Sequence, residues 1–139
     1  MKVYVAGKWQ DRQRVREVMS ELEQAGHIIT LDWTVHEAPD GGADGIDGYD
    51  PELLASYAME DVWGVQIADA LVAIMERDYP YKGLWVEVGI ALGCDILVCI
   101  LGSAGDSCIF MNHPGVQRFD SLADLCGWLA SSPDAAPGV

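Results

Sequence analysis

No apolar run in this 139-residue chain approaches the roughly 20 residues that a membrane-spanning helix needs. Bases are scarce as well, 8 Lys and Arg against 22 Asp and Glu, for a net charge of −14. That balance argues against a nucleic-acid polymer as partner, because phosphate backbones select Lys and Arg. It leaves a small ligand in a local pocket open. The four cysteines, Cys94, Cys99, Cys108 and Cys126, form no C-x-x-C pair and share no metal-ligand spacing with His27, His36 or His113. Three of them lie within or beside apolar runs and read as reduced core or near-core thiols. Gly-x-Gly-x-x-Gly and Gly-x-x-x-x-Gly-Lys-Ser/Thr are both missing, so neither dinucleotide nor P-loop phosphate binding is signalled. There is no Gly-x-Ser-x-Gly nucleophile elbow and no internal repeat. No metal and no cofactor is expected.

What is present fits one soluble domain. Half of the residues are apolar and 22% are charged, and the length suits a single core. The domain is expected to span residues 1–132, with 133–139 as a frayed tail. Residues 1–7 read as a short strand and turn, too short for the apolar part of a signal peptide, so a cytoplasmic location is expected.

Strand-like runs alternate with helix-like ones. Residues 2–6, 27–31, 70–75 and 95–101 are apolar runs of strand length. Val15, Val18, Met19 and Leu22 repeat at helical spacing over 12–25, with Asp11 as the expected N-cap and Gly26 as the stop. Asp50 and Pro51 open a second helix to about residue 68. Ser121 is expected to cap a last one to about residue 129, and residues 108–111 read as a short strand. Between Trp33 and Tyr49 lies an aperiodic, Gly- and Asp-rich stretch, which at that length is functional or disordered. The alternation predicts an α/β fold: a three-layer, flavodoxin-like parallel sheet of four to five strands flanked by helices. Ligands of such sheets sit beyond the carboxyl ends of the strands.

One further helix carries the strongest chemical signal. Lys82-Gly83-Leu84-Trp85-Val86-Glu87-Val88-Gly89-Ile90-Ala91-Leu92-Gly93 places Glu87 among Gly83, Leu84, Ile90 and Ala91 on its own face, with no Lys or Arg three or four residues away. A carboxylate against a sheet is costly unless it is paired, hydrogen-bonded or open to a cavity. Glu87 is therefore either a rim residue reaching solvent or a catalytic carboxylate. Tyr4, Trp9, Asp61, Asp78, Tyr79 and Tyr81 fall near the same sheet edge.

These residues resemble the nucleoside 2-deoxyribosyltransferase family, from Val3 to about Phe119. Tyr4-Val5-Ala6-Gly7-Lys8-Trp9-Gln10-Asp11-Arg12-Gln13 is similar to the family's opening strand and turn, slightly shortened. Asp61, ahead of Ala68-Asp69, matches its base-contacting aspartate, and Val86-Glu87-Val88-Gly89 the motif of its nucleophile. The resemblance implies that Glu87 attacks C1′ of a nucleoside, displaces the base and becomes glycosylated, and that a second base or water then takes the sugar with retention. It implies that Asp61 handles the base and its proton, that Tyr4 holds Glu87, and that Trp9 lines the base pocket. Gly7, Lys8, Asp78, Tyr81, Gly83 and Asn112 complete the candidate substrate contacts. Tyr81 stands where some members carry another aspartate, and Asp78 is near it but out of register. A homo-oligomer with shared sites is implied, a neighbour supplying a segment near residues 111–113, with Asn112 as its candidate.

Structural explanations stand beside these. Tyr4 is equally a core residue with a bonded hydroxyl, Trp9 a surface anchor, and Asp61 an exposed helix residue. Asp69 reads as a turn residue, His113 as a loop residue, and Asp40, Asp44 and Asp47 as solvated loop charge. Rival functions are hydrolysis of nucleoside 5′-monophosphates, cleavage of NAD, and nucleotide binding without turnover. Lys8 and Arg12 are the only bases in the first loop, fewer than a phosphate-binding version of that loop leads one to expect.

Overall fold

A computed structural model describes residues 1–36 and 48–131. Asp40, Asp44 and Asp47 and the expected tail at 133–139 lie outside the described residues. The strands are β1 (Lys2–Ala6), β2 (Ile28–Ile29), β3 (Ala70–Ile74), β4 (Leu97–Leu101) and β5 (Val116–Phe119), all parallel, in the order β2-β1-β3-β4-β5. Every residue of β3 is buried, because a central parallel strand is covered on both faces, and this explains its unbroken apolar run.

The helices are α1 (Arg12–Gln24), α2 (Pro51–Gln66), α3 (Lys82–Gly93) and α4 (Leu122–Ser131). Val15, Val18, Met19 and Leu22 form the buried stripe of α1, which packs on β1 and β2. Leu84, Val88 and Ala91 form that of α3, which packs on β3, β4 and α2. The chain leaves β1 in one direction and β3 in the other. Right-handed crossovers then put α1 on one face of the sheet and α2 and α3 on the other. The point where the winding reverses, between β1 and β3, opens a crevice at their carboxyl ends. The flavodoxin-like architecture is present.

Several local expectations need correction. β2 is only two residues long, because the chain leaves β1 after Thr30 N–H bonds the Val3 carbonyl at 3.0 Å. Residues 108–111 are not a strand: Ile109–Asn112 forms a 3-10 turn, and the fifth strand is Val116–Phe119. Asp11 makes no side-chain cap on α1, since the 3-10 turn Trp9–Asp11 leads into the helix and the Arg12 N–H finds the Trp9 carbonyl. Asp50 and Ser121 do cap their helices, accepting from Glu52 N–H at 3.1 Å and Asp124 N–H at 3.1 Å. Gly26 takes φ +89° just after α1, a conformation that costs glycine little. All four cysteines are free, and Cys99 is buried, whereas Cys94 is exposed.

Candidate active site

Tyr4 is fully buried at mid-strand in β1, paired in register with Leu71 of β3. Its side chain runs under α2 toward α3. At its tip the hydroxyl donates to Glu87 Oε1 at 2.7 Å and lies 3.3 Å from Asp61 Oδ1. Glu87 sits in the second turn of α3 and Asp61 in the later half of α2, both half-buried. Two helices and one strand thus bring two carboxylates onto a single hydroxyl. Gly64 on α2 permits this packing: a Cβ there would stand 3.1 Å from Cδ2 and Cε2 of Tyr4.

Proton affinities at the site follow from this burial. Glu87 is pushed up to about 8, chiefly by desolvation and further by the Asp61 charge, while the Tyr4 hydrogen bond works the other way. Asp61 is also raised by desolvation, against the opposing pulls of His36 and Tyr4. The Tyr4 hydroxyl is pushed far up by burial and then by the two carboxylates. It therefore acts as a donor that does not ionise. Two acidic groups with raised proton affinity on one donor form the sort of arrangement that general acid–base and nucleophilic chemistry uses.

The crevice beside this triad is built from the loops after β1 and β3. The short β2 leaves the Val5 carbonyl of β1 without a strand partner, and the Trp33 indole N–H fills that place at 2.7 Å. Arg16 fixes the Trp33 turn, donating to the Thr34 hydroxyl and carbonyl, each at 2.9 Å. Trp9 tilts against Trp33 with ring centroids 6.4 Å apart. Across the reversal point the Lys8 ammonium rests on the Tyr79 ring, 4.2 Å from its centroid. Gly7 lies tight under this loop, since a Cβ there would meet Val15 Cγ2 at 2.7 Å.

Tyr4, Asp61 and Glu87 are thus brought together, and Gly7, Lys8 and Trp9 line the neighbouring loop. Tyr81 is buried at the start of α3 with φ 41°, and its hydroxyl donates to the Arg77 carbonyl, which makes it a strut of the loop. Asp78 is exposed in that loop, and Gly83 is exposed in the first turn of α3. Asn112 is exposed in the turn before β5, its amide donating to the Ile109 carbonyl at 3.4 Å.

Sequence reasoning missed Trp33, Gly64 and His36. His36 stacks on Tyr57 at 3.9 Å, holds Glu60 at 3.1 Å and acts electrostatically on Asp61. All three depend on contacts between distant segments, so no local pattern announced them. Among the described residues no three His, Cys, Asp or Glu side chains converge as a metal centre. No helix among them is long and apolar enough to cross a membrane.

No protein-family model and no curated protein matches the chain. Solved structures do. A 2-deoxyribosyltransferase from the psychrotolerant bacterium Bacillus psychrosaccharolyticus superposes with a TM-score of 0.70 at 18% identity, over 100% of both chains. The CMP N-glycosidase BcmB of Clostridium botulinum gives 0.59 at 14% identity, over 94% of this chain and 99% of the other. A conserved protein from Enterococcus faecalis V583 gives 0.66 at 18% identity, over 94% and 98%. With both chains covered almost end to end, this protein has the fold of a 2-deoxyribosyltransferase and of a CMP N-glycosidase.

Proposed function

We propose that this protein belongs with those enzymes and cleaves the N-glycosidic bond of a nucleoside through a covalent glycosyl-enzyme on Glu87. The observation that carries the reading is the Tyr4 hydroxyl shared by Glu87 at 2.7 Å and Asp61 at 3.3 Å. A tyrosine hydroxyl has one hydrogen, and the shorter bond directs it to Glu87. Asp61 accepts more weakly from the same hydroxyl, and desolvation raises its proton affinity, so it is the freer of the two to exchange a proton with the base. Glu87 is held by the shorter bond as the nucleophile.

In the first step a Glu87 oxygen bonds to C1′ while the bond from C1′ to the base nitrogen breaks. The bonding pair leaves with the base, which takes the Asp61 proton. In the second step another base, or water, bonds to C1′, and the ester bond to Glu87 breaks. The proton lost by the incoming group returns to Asp61. Two inversions give net retention. Burial that raises Glu87 to about 8 makes it more nucleophilic once ionised, and the positive charge developing on the sugar favours that ionised form.

Incubating the protein with a deoxynucleoside and a second base, with chromatography of products, tests the reading. Glu87→Ala is expected to remove transfer and hydrolysis while the protein still melts cooperatively. Asp61→Asn slows turnover and partly spares binding. A 2′-fluoro nucleoside should leave its sugar on Glu87, detectable by peptide mass. A folded Glu87→Ala protein with wild-type turnover sinks the covalent mechanism.

A second reading is hydrolysis of a nucleoside 5′-monophosphate, the substrate type named for the Clostridium botulinum neighbour. Lys8 and Arg12, which lie over the rings of Tyr79 and Trp9 at the crevice, are the bases that a 5′-phosphate would meet there. Comparing kcat/KM for a nucleoside and its 5′-phosphate separates the two. The assembly belongs to the same proposal: the chain works as a homo-oligomer whose 107–113 segment approaches a neighbour's Glu87.

A further inference from the structure

Glycine weakens a helix interior relative to alanine, so a helical glycine with a tight neighbour asks for a reason. Gly83, Gly89 and Gly93 in α3 and Gly127 in α4 have open space where a Cβ would go, with nothing within 4 Å. Gly64 in α2 differs. It is buried, and a Cβ there would lie 3.0 Å from Leu31 Cβ and 3.1 Å from both Cδ2 and Cε2 of Tyr4. The backbone of α2 thus rests directly on one edge of the Tyr4 ring.

That edge leads to the hydroxyl on which the site depends. Asp61 lies one turn before Gly64 on the same helix, so the spacing of α2 from the ring also sets the reach of Asp61 to Tyr4. We propose that Gly64 is a positioning residue: its missing side chain seats α2 on the Tyr4 ring and thereby holds the hydroxyl between Asp61 and Glu87. A methyl group at this position makes either the ring or the helix yield by a few tenths of an ångström. The Asp61 contact, already at 3.3 Å, is the first to fail, because hydrogen bonds weaken steeply at that range. A tilted ring also swings its hydroxyl off Glu87.

The kinetic half of this inference rests on the glycosyl-transfer reading, but its titration half does not. The Tyr4 hydrogen bond favours ionised Glu87, so weakening it moves the Glu87 midpoint upward. The test compares Gly64→Ala with Gly127→Ala, following the Glu87 carboxyl by carbon-13 NMR alongside melting and the pH–rate profile. Gly64→Ala is expected to raise the Glu87 midpoint by about half a pH unit. The acidic limb of the rate profile moves with it, and kcat falls about tenfold with KM nearly constant. Gly127→Ala leaves all of these unchanged. In a Tyr4→Phe background Gly64→Ala moves the midpoint no further.

A folded Gly64→Ala protein with the wild-type Glu87 midpoint overturns the proposal. Should Gly64→Ala fail to fold, Tyr4→Leu is added to remove the ring. Recovered folding supports the ring contact, whereas recovery with Leu31→Gly in place of Tyr4→Leu overturns it, since the added methyl then meets the Leu31 Cβ at 3.0 Å and not the ring. If the wild-type protein turns over no nucleoside, the reading of its function fails, while the carboxyl titration still decides the role of Gly64.

Discussion

Tyr4 and Glu87 are 83 residues apart in the chain and 2.7 Å apart in space, joined by a hydrogen bond from the Tyr4 hydroxyl to a Glu87 carboxylate oxygen. The strand contributes a rigid donor, because a fully buried tyrosine paired with Leu71 of β3 cannot move without disturbing the sheet. The helix contributes an acceptor whose proton affinity burial has raised to about 8. A donor that keeps its hydrogen and an acceptor poised near neutrality make this pair the centre of the site.

The raised affinity of Glu87 has a consequence for stability. Its folded value, about 8, lies above the ordinary 4.5. The neutral carboxyl therefore supports folding fully below 4.5, and that support is lost as pH rises through about 8. Glu87→Gln, which stays neutral, should melt close to wild type at about pH 5 and several degrees higher at about pH 9. Parallel melting curves across the range would show that Glu87 is not held in a desolvating site.

Removing only the Tyr4 hydroxyl isolates its role. Tyr4→Phe keeps the ring against Gly64 but gives Glu87 no donor, so the Glu87 midpoint moves above that of the wild type. Activity near neutrality should fall about a hundredfold, as for loss of a donor aimed at a charged group in an active site. The optimum moves to higher pH. An unchanged pH profile would make Tyr4 a packing residue only.

The outer faces of α2 and α3 bear on the proposed assembly. Met59 is 73% exposed and Trp63 55% on α2, and Val86 is 62% exposed on α3, next to Glu87. Ile109 and Phe110 are exposed as well, in the turn before β5. Met59 and Trp63 lie one turn apart on α2, so their exposed apolar side chains form a patch suited to an interaction surface, and a second copy of the chain fits the shared-site proposal. Light scattering is expected to find a dimer or larger species, and Met59→Asp with Trp63→Asp should shift it to monomer and reduce activity. A wild-type monomer with full activity at micromolar concentration would refute the shared site.

Much of the architecture was legible in local pattern. The apolar runs of β3 and β4, the helical stripe of α1 and the lone Glu87 on α3 each follow from residues within a few positions of one another. β5 was not legible. Its Val116-Gln117-Arg118-Phe119 lies at the sheet edge, where Arg118 is needed to donate to the carbonyls of Gly102 and Ala104. A polar residue with a structural task breaks the apolar run that would have identified the strand. Tyr81, a candidate substrate contact, has φ 41° at the start of α3 and turns its hydroxyl to the Arg77 carbonyl, a contact within the loop that its residue type alone did not reveal.

The sequence by itself determined which residue types were available for chemistry and where the helices α1 to α4 and the strands β1, β3 and β4 lie, because periodicity acts over one or two turns. Only the tertiary structure decided that Tyr4 reaches Glu87 and Asp61 together, that Trp33 serves the orphaned carbonyl of β1, and that a Cβ on Gly64 would crowd the Tyr4 ring. Those facts are distances between elements far apart in the chain. A few tenths of an ångström there govern hydrogen bonding and proton affinity, and no pattern of neighbouring residues encodes them.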